Sequence, residues 1–196
     1  MSSLRRELAL GFEIAELIPQ LSQLRMDVFH EFPYLYEGSL EYEKNYLQIY
    51  THNPLSLVYA VFDGDQMVGA TTGMPLIAES IEIQQPFIDR GLNLQEIFYF
   101  GESILLPPYR GQGIGHQFFD IREKHALEHG FRVTTFCSVV RPADHPLRPE
   151  AYRPNNDFWK KRGYIEQDYY CQMSWLDRNE TKETEKELIF WKREWR

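Results

Sequence analysis

The stretch that most constrains this chain is Tyr109-Arg110-Gly111-Gln112-Gly113-Ile114-Gly115, because of what flanks it. Upstream, Ile97 to Leu106 is apolar and aromatic, with strand character. Downstream, His116 to His129 reads as a helix closed by Gly130, and Phe131 to Val140 reads as another strand. A strand that enters a helix through a glycine-rich loop builds an anion site. Glycine lets backbone N–H groups approach a ligand, and the helix N-terminus adds a partial positive charge. The expected ligand is a phosphate or pyrophosphate.

Three phosphate-binding patterns compete for this loop. A P-loop ends in Gly-Lys-Ser/Thr, whereas Ile114-Gly115-His116 stands here. The dinucleotide fingerprint needs a third glycine where His116 lies, and glycines at 111, 113 and 115 have the wrong spacing for it. The pattern Arg/Gln-x-x-Gly-x-Gly/Ala fits as Arg110 to Gly115. With Pro107 and Tyr109 just upstream, the stretch resembles the acetyl-CoA loop of the GNAT superfamily of N-acetyltransferases. The alternative is a glycine-rich structural turn.

The 196 residues suffice for one domain with a substantial core, and contents of 43% hydrophobic and 26% charged are those of a soluble globular protein. With 21 basic against 29 acidic residues the net charge is −8, which argues against a nucleic-acid partner. Cys137 and Cys171 are too few for a disulfide framework or a zinc knuckle, so no metal is expected. No apolar run follows Arg5 and Arg6 as in a signal peptide, and none reaches membrane-span length, so the expectation is a cytoplasmic protein with no membrane partner.

Along the chain, Ala15 to Phe32 has helical spacing, and Ser39 can cap a second helix ending by Asn53-Pro54. Leu55 to Phe62 and Gln66 to Met74 flank Asp63-Gly64-Asp65 as a hairpin. Pro86 is expected to open a short helix through Arg90. A proline-rich loop spans Arg141 to Pro154, a short helix ends at Gly163, and a strand region runs from Tyr164 to Trp175. The tail from Thr181 carries Glu and Lys/Arg at helical spacings with Leu188, Ile189, Trp191 and Trp195, which predicts a C-terminal helix and permits a homodimer contact.

This order resembles the GNAT layout. It implies an α/β (α+β) fold: a mixed central sheet with splayed parallel strands, flanked by helices, plus the C-terminal helix. The expected division of a single domain is 1–94 (N-terminal helices and hairpin), 95–140 (the cofactor unit), 141–176 (acceptor-side loop, short helix and last strands) and 177–196 (C-terminal helix).

The resemblance further implies that acetyl-CoA is the co-substrate and an amine the acceptor, either a small molecule or a peptide. The pantetheine arm would pair with the free edge at Ser103, Ile104, Leu105 and Leu106. The pyrophosphate would lie on Gly111, Gln112, Gly113, Ile114 and Gly115, with Arg110, His116 and Asn155 as further contacts. Removal of a proton from the acceptor ammonium needs a base. Glu102, in an otherwise uncharged strand, is the first candidate, unless it faces solvent or pairs with an arginine; Glu96 and His145 follow. Where many members of the family carry an acidic tyrosine this chain has Trp159, which cannot serve as a proton donor near neutral pH. Tyr152 and Tyr164 are unmarked substitutes. A CoA-binding sensor without turnover is therefore the second reading.

Overall fold

The computed structural model of the chain describes residues 4–195. Strand β1 (Arg5–Leu10) leads through a 3-10 turn into α1 (Ile18–Phe29), and α2 (Leu40–Leu47) follows, capped as expected by Ser39, whose hydroxyl accepts the Tyr42 N–H at 3.2 Å. The hairpin forms from β2 (Leu57–Asp63) and β3 (Gln66–Pro75). Helix α3 (Ile81–Ile88) precedes β4 (Ile97–Leu105), and α4 (Ile114–Glu128) precedes β5 (Val133–Val139). The chain closes with α5 (Asn156–Lys161), β6 (Ile165–Trp175) and β7 (Thr184–Glu194).

The seven strands form one sheet in the order β1-β2-β3-β4-β5-β7-β6. Only β4 and β5 run parallel, and their pairing stops after Ile97–Val133, Phe98–Thr134 and Tyr99–Thr135. Past those rungs the two strands part, so the rest of β4 keeps a free edge towards β5. This is the expected splay. One face of the sheet packs on α1, α2 and α3, through Leu21, Leu24, Leu47 and Ile104 at one end and Phe87, Tyr169 and Phe190 at the other. The opposite face packs on α4 and α5, through Phe98, Phe100, Phe119, Phe136 and Trp191. No helix among the described residues is long and apolar enough to cross a membrane.

Two expectations need correction. The C-terminal helix is a strand: β7 lies inside the sheet, antiparallel to β5 on one side and β6 on the other. Lys186, Leu188 and Phe190 alternate into the core, and two neighbouring strands satisfy the backbone on both edges. The helical Glu–Lys spacings mislead here, since a four-residue interval also returns to the same face of a strand. Residues 5–10 form an edge strand on β2. Helix α3 starts five residues before Pro86 and carries that proline inside; Ser80 is its N-cap.

Because β7 is central, Phe190→Ala should destabilise the protein by about 3–5 kcal/mol in chemical denaturation. Removing residues 184–196 should abolish cooperative unfolding, whereas loss of a peripheral helix would leave a folded core.

Candidate functional site

Strand β4 contains one residue more than β3 can match. Thr71 faces Ser103 and Gly73 faces Phe100, so two steps on β3 span three on β4. This β-bulge turns Gly101 and Glu102 to the same side, towards α1 and α2, and shifts the alternation so that Ile104 joins the face already lined by Tyr99. A Cβ at Gly101 would overlap the Tyr50 hydroxyl and come within 2.5 Å of Thr72 Oγ1. Glycine is required there by close approach. On the opposite face the buried Arg122 of α4 donates to the carbonyls of Glu102 (3.2 Å) and Thr72 (3.4 Å), which the bulge takes out of the regular ladder. Its guanidinium lies 4.1 Å from the centre of the Phe100 ring, and burial pulls its pKa down to about 10, leaving it charged at neutral pH.

Glu102 is buried, with 4% exposure, and its carboxylate is fully engaged. Arg25 from α1 donates to one oxygen; Thr72, and Tyr50 at 3.2 Å, donate to the other. Arg25 also pairs with the buried Glu43 of α2, so one guanidinium bridges two carboxylates between the rings of Phe29 (4.9 Å) and Tyr46 (4.6 Å). Burial opposes the charge on Arg25, but the field of Glu102, with Tyr46 and Glu43, overcomes it and holds Arg25 more firmly protonated than a free guanidinium. Of the readings open for Glu102, the structure realises the arginine pair. Nothing in sequence spacing links Arg25, Glu43, Tyr50 and Thr72, so this cluster was invisible before folding.

More polar side chains line the same chamber. The Tyr99 hydroxyl lies 3.1 Å from Cys137 Sγ, just past the last parallel rungs. Burial raises the hydroxyl pKa values of Tyr34, Tyr46 and Tyr99, and the neighbouring Glu102 or Cys137 raises them further. Tyr34, Tyr46 and Cys137 remain half-buried, so the chamber is not sealed.

The loop after β4 keeps its donors free. Gly111 and Gly113 have φ of +76° and +81°, in the left-handed region where glycine is favoured, and Gly113 is the N-cap of α4. The N–H groups of Gly111, Gln112, Gly113, Ile114 and Gly115 have no acceptor among the described residues, and a Cβ at Gly111, Gly113 or Gly115 would meet nothing within 4 Å. These glycines are therefore not demanded by packing. They leave an open row of donors at the start of a fifteen-residue helix. Arg110 donates to Leu105 O and to Glu31 Oε2, both at 3.0 Å, fixing the loop to the end of β4 and to the segment just after α1. Ser103 is exposed, Leu105 and Leu106 are half-buried, and Ile104 is a core residue.

The remaining candidates lie apart from the bulge. His116 stacks edge-on against Phe158 at 4.9 Å, joining the start of α4 to α5. Asn155 is the exposed N-cap position of α5, with its carbonyl on the Trp159 N–H. His145 is held within the proline loop: its Nδ1 accepts the Leu147 N–H at 3.2 Å, and its ring lies 5.6 Å from Phe32. Glu96 is exposed at the entry to β4. Trp159 is half-buried and packs on Phe136 and Trp191, both at 5.1 Å, at the edge of the core. Tyr164 is buried with its hydroxyl between Thr134 and Glu123, and burial raises its pKa far beyond the range of an acid useful at neutral pH. Arg141 is spent on Asp177 and on the carbonyls of Pro33 and Tyr34, which ties the proline loop to the segment after α1.

The whole chain superposes on solved acetyltransferases. An acetyltransferase from Thermus thermophilus matches with a TM-score of 0.61 at 15% identity, over 99% of both chains. A ribosomal-protein-alanine N-acetyltransferase from Brucella melitensis matches with a TM-score of 0.60 at 14% identity, over 96% of this chain and 99% of that one. A Desulfovibrio desulfuricans protein assigned to the GNAT family matches with a TM-score of 0.57 at 10% identity, over 98% and 99%. No protein-family model and no curated protein sequence matches the chain. The fold is that of the GNAT acetyltransferases.

Gly101→Ala should push Tyr50 and Thr72 off Glu102 and cost about 1–3 kcal/mol, the usual scale of overpacking. Equal stability of variant and parent in urea titrations would mean that the bulge has room to spare.

Proposed function

We propose that the protein is an N-acetyltransferase that moves the acetyl group of acetyl-CoA to a primary amine, by direct attack within a ternary complex. One observation carries this reading: the free edge of β4 leads, through Leu106 and the 3-10 turn Pro107–Tyr109, to the open N–H row of Gly111 to Gly115. An extended, amide-bearing arm can pair with a strand edge, and a pyrophosphate can accept from a row of N–H groups at a helix start. CoA carries both on one molecule. The residues fit it: Ser103, Ile104 and Leu105 supply the edge with Leu106 beside it, the loop supplies the donors, and Arg110 and His116 stand next to the loop. Asn155 completes the set on α5.

When bound, acetyl-CoA supplies an acetyl group activated as a thioester. The amine nitrogen forms a bond to the acyl carbon as the carbon–sulfur bond breaks. An ammonium must shed one proton before attack and a second as the amide forms; the departing sulfur takes up one of them. The acceptor side is the chamber of Glu102, Tyr34, Tyr46 and Tyr99, with the proline loop tied beside Tyr34 through Arg141. Its carboxylates and aromatic rings suit a cation. The reading places the protein in the cytoplasm and requires no metal.

Acetyl-CoA at about 100 times its Kd should stabilise the protein by about 2.7 kcal/mol, seen as a rise in Tm. Gly113→Val should abolish that rise, since the side chain enters the space of the phosphates and resists a positive φ. Arg110→Glu should weaken it. Release of CoA in the presence of a panel of amines tests turnover. Stabilisation by ATP or NAD with none by CoA would overturn the binding site, and binding without CoA release would favour the sensor.

A further inference from the structure

We infer that Glu31 competes with the pyrophosphate of the cofactor for Arg110. It is a positioning residue that latches Arg110 at the end of the β4 edge, sets cofactor affinity, and links cofactor loading to the acceptor side. The inference rests on the acetyl-CoA reading. The direction of the β4 backbone places the latch. The Leu106 N–H bonds to Val68 O at 2.9 Å, and Leu105 lies opposite Gly69. Opposed residues of an antiparallel pair alternate between bonded and non-bonded, so Leu105 turns its N–H and carbonyl away from β3, towards the gap that β5 leaves. Ser103, opposite Thr71, has the same parity. Leu105 is the last residue of β4, and its carbonyl accepts from Arg110 Nε at 3.0 Å. The guanidinium therefore stands where the free edge ends and the glycine loop begins. Glu31 Oε2 holds its Nη2, also at 3.0 Å.

The Arg110 and Glu31 side chains are 47% and 46% exposed, and an ion pair that open is weak and screened by salt. A pyrophosphate on the neighbouring N–H row offers more charge and a better match to the guanidinium fork. A carboxylate beside it would repel it, so Glu31 has to let go as the phosphates arrive. Glu31 also begins the turn that follows α1. Its carbonyl accepts the Leu35 N–H at 3.0 Å, and the Phe29 carbonyl accepts the Tyr36 N–H at 2.8 Å. This turn sets Tyr34 against the Phe29 ring at 4.4 Å, on the wall of the chamber. Leu35 is buried with φ of +57°, a strained value for a side chain branched at Cγ, so the turn depends on the contacts that hold it. The Glu31 latch is one of these contacts. Releasing it loosens the acceptor-side turn at the moment the cofactor is seated.

The Kd of acetyl-CoA, measured by calorimetry at low salt, tests this in a double-mutant cycle. Glu31→Gln should tighten binding about two- to fivefold, the scale of an exposed ion pair. The gain should vanish at about 1 M salt, where the screening length is about 3 Å. Arg110→Gln should weaken binding, and in that background Glu31→Gln should gain less than it does in the parent. Amide exchange gives a readout that a purely structural role would not move. Acetyl-CoA should speed exchange of the Leu35 amide in the parent, and Glu31→Gln should show the faster rate before acetyl-CoA is added. Three results would each overturn the latch alone: an unchanged or weaker Kd for Glu31→Gln, the full gain without Arg110, or a Leu35 amide that acetyl-CoA leaves as slow as before. A parent that binds no acetyl-CoA overturns it together with the reading beneath it.

Discussion

Arg25 bridges Glu43 and Glu102 inside a wall of aromatic rings, and the site depends on that bridge. It joins α1 to α2 and both helices to β4, at the point where β4 is irregular. Charges buried this deeply are costly, and the bridge compensates only while all three members are present; removing one partner of such a pair typically costs about 3–5 kcal/mol. Two carboxylates against one guanidinium leave the chamber with an excess of negative charge. In the proposed reading that excess suits a cationic acceptor.

The bulge in β4 links this chamber to the free strand edge and the glycine loop. An extra residue strengthens local twist and bends the strand that carries it, in keeping with the parting of β4 and β5 one residue before Gly101. Arg122 secures the bulge from the other face by taking carbonyls that the ladder no longer uses. The two buried arginines thus hold one irregularity from opposite sides: Arg25 by side-chain carboxylates, Arg122 by backbone oxygens. The free edge follows on the same strand, and the glycine loop lies one 3-10 turn beyond its end.

Much of this layout can be read in the sequence. Gly111, Gly113 and Gly115 mark the loop because a loop open to a ligand needs residues that packing does not demand. Ser39, Gly130 and Gly163 punctuate helices by local chemistry, and the hairpin follows from Asp63-Gly64. The tail misleads because charges four residues apart coincide on a helix and on a strand, and only the slot between β5 and β6 decides between them. The Arg25 bridge is unreadable for a different reason: its members come from α1, α2 and β4, and the separations of 18 and 77 residues carry no periodic signal. Glu102 could be singled out as a charge in an apolar strand, but its partner could not.

The central claim is that the β4 edge and the glycine loop form a single site for one extended ligand. Amide hydrogen exchange, residue by residue, tests it most directly. Adding acetyl-CoA should slow exchange of the amides of Gly111 to Gly115 and, in the same titration and with the same midpoint, of the β4 amides between Gly101 and Leu105 that face β5. ATP should not reproduce the second effect, since it has no arm to lie along the strand. Protection confined to the loop, or equal protection by ATP, would contradict the account.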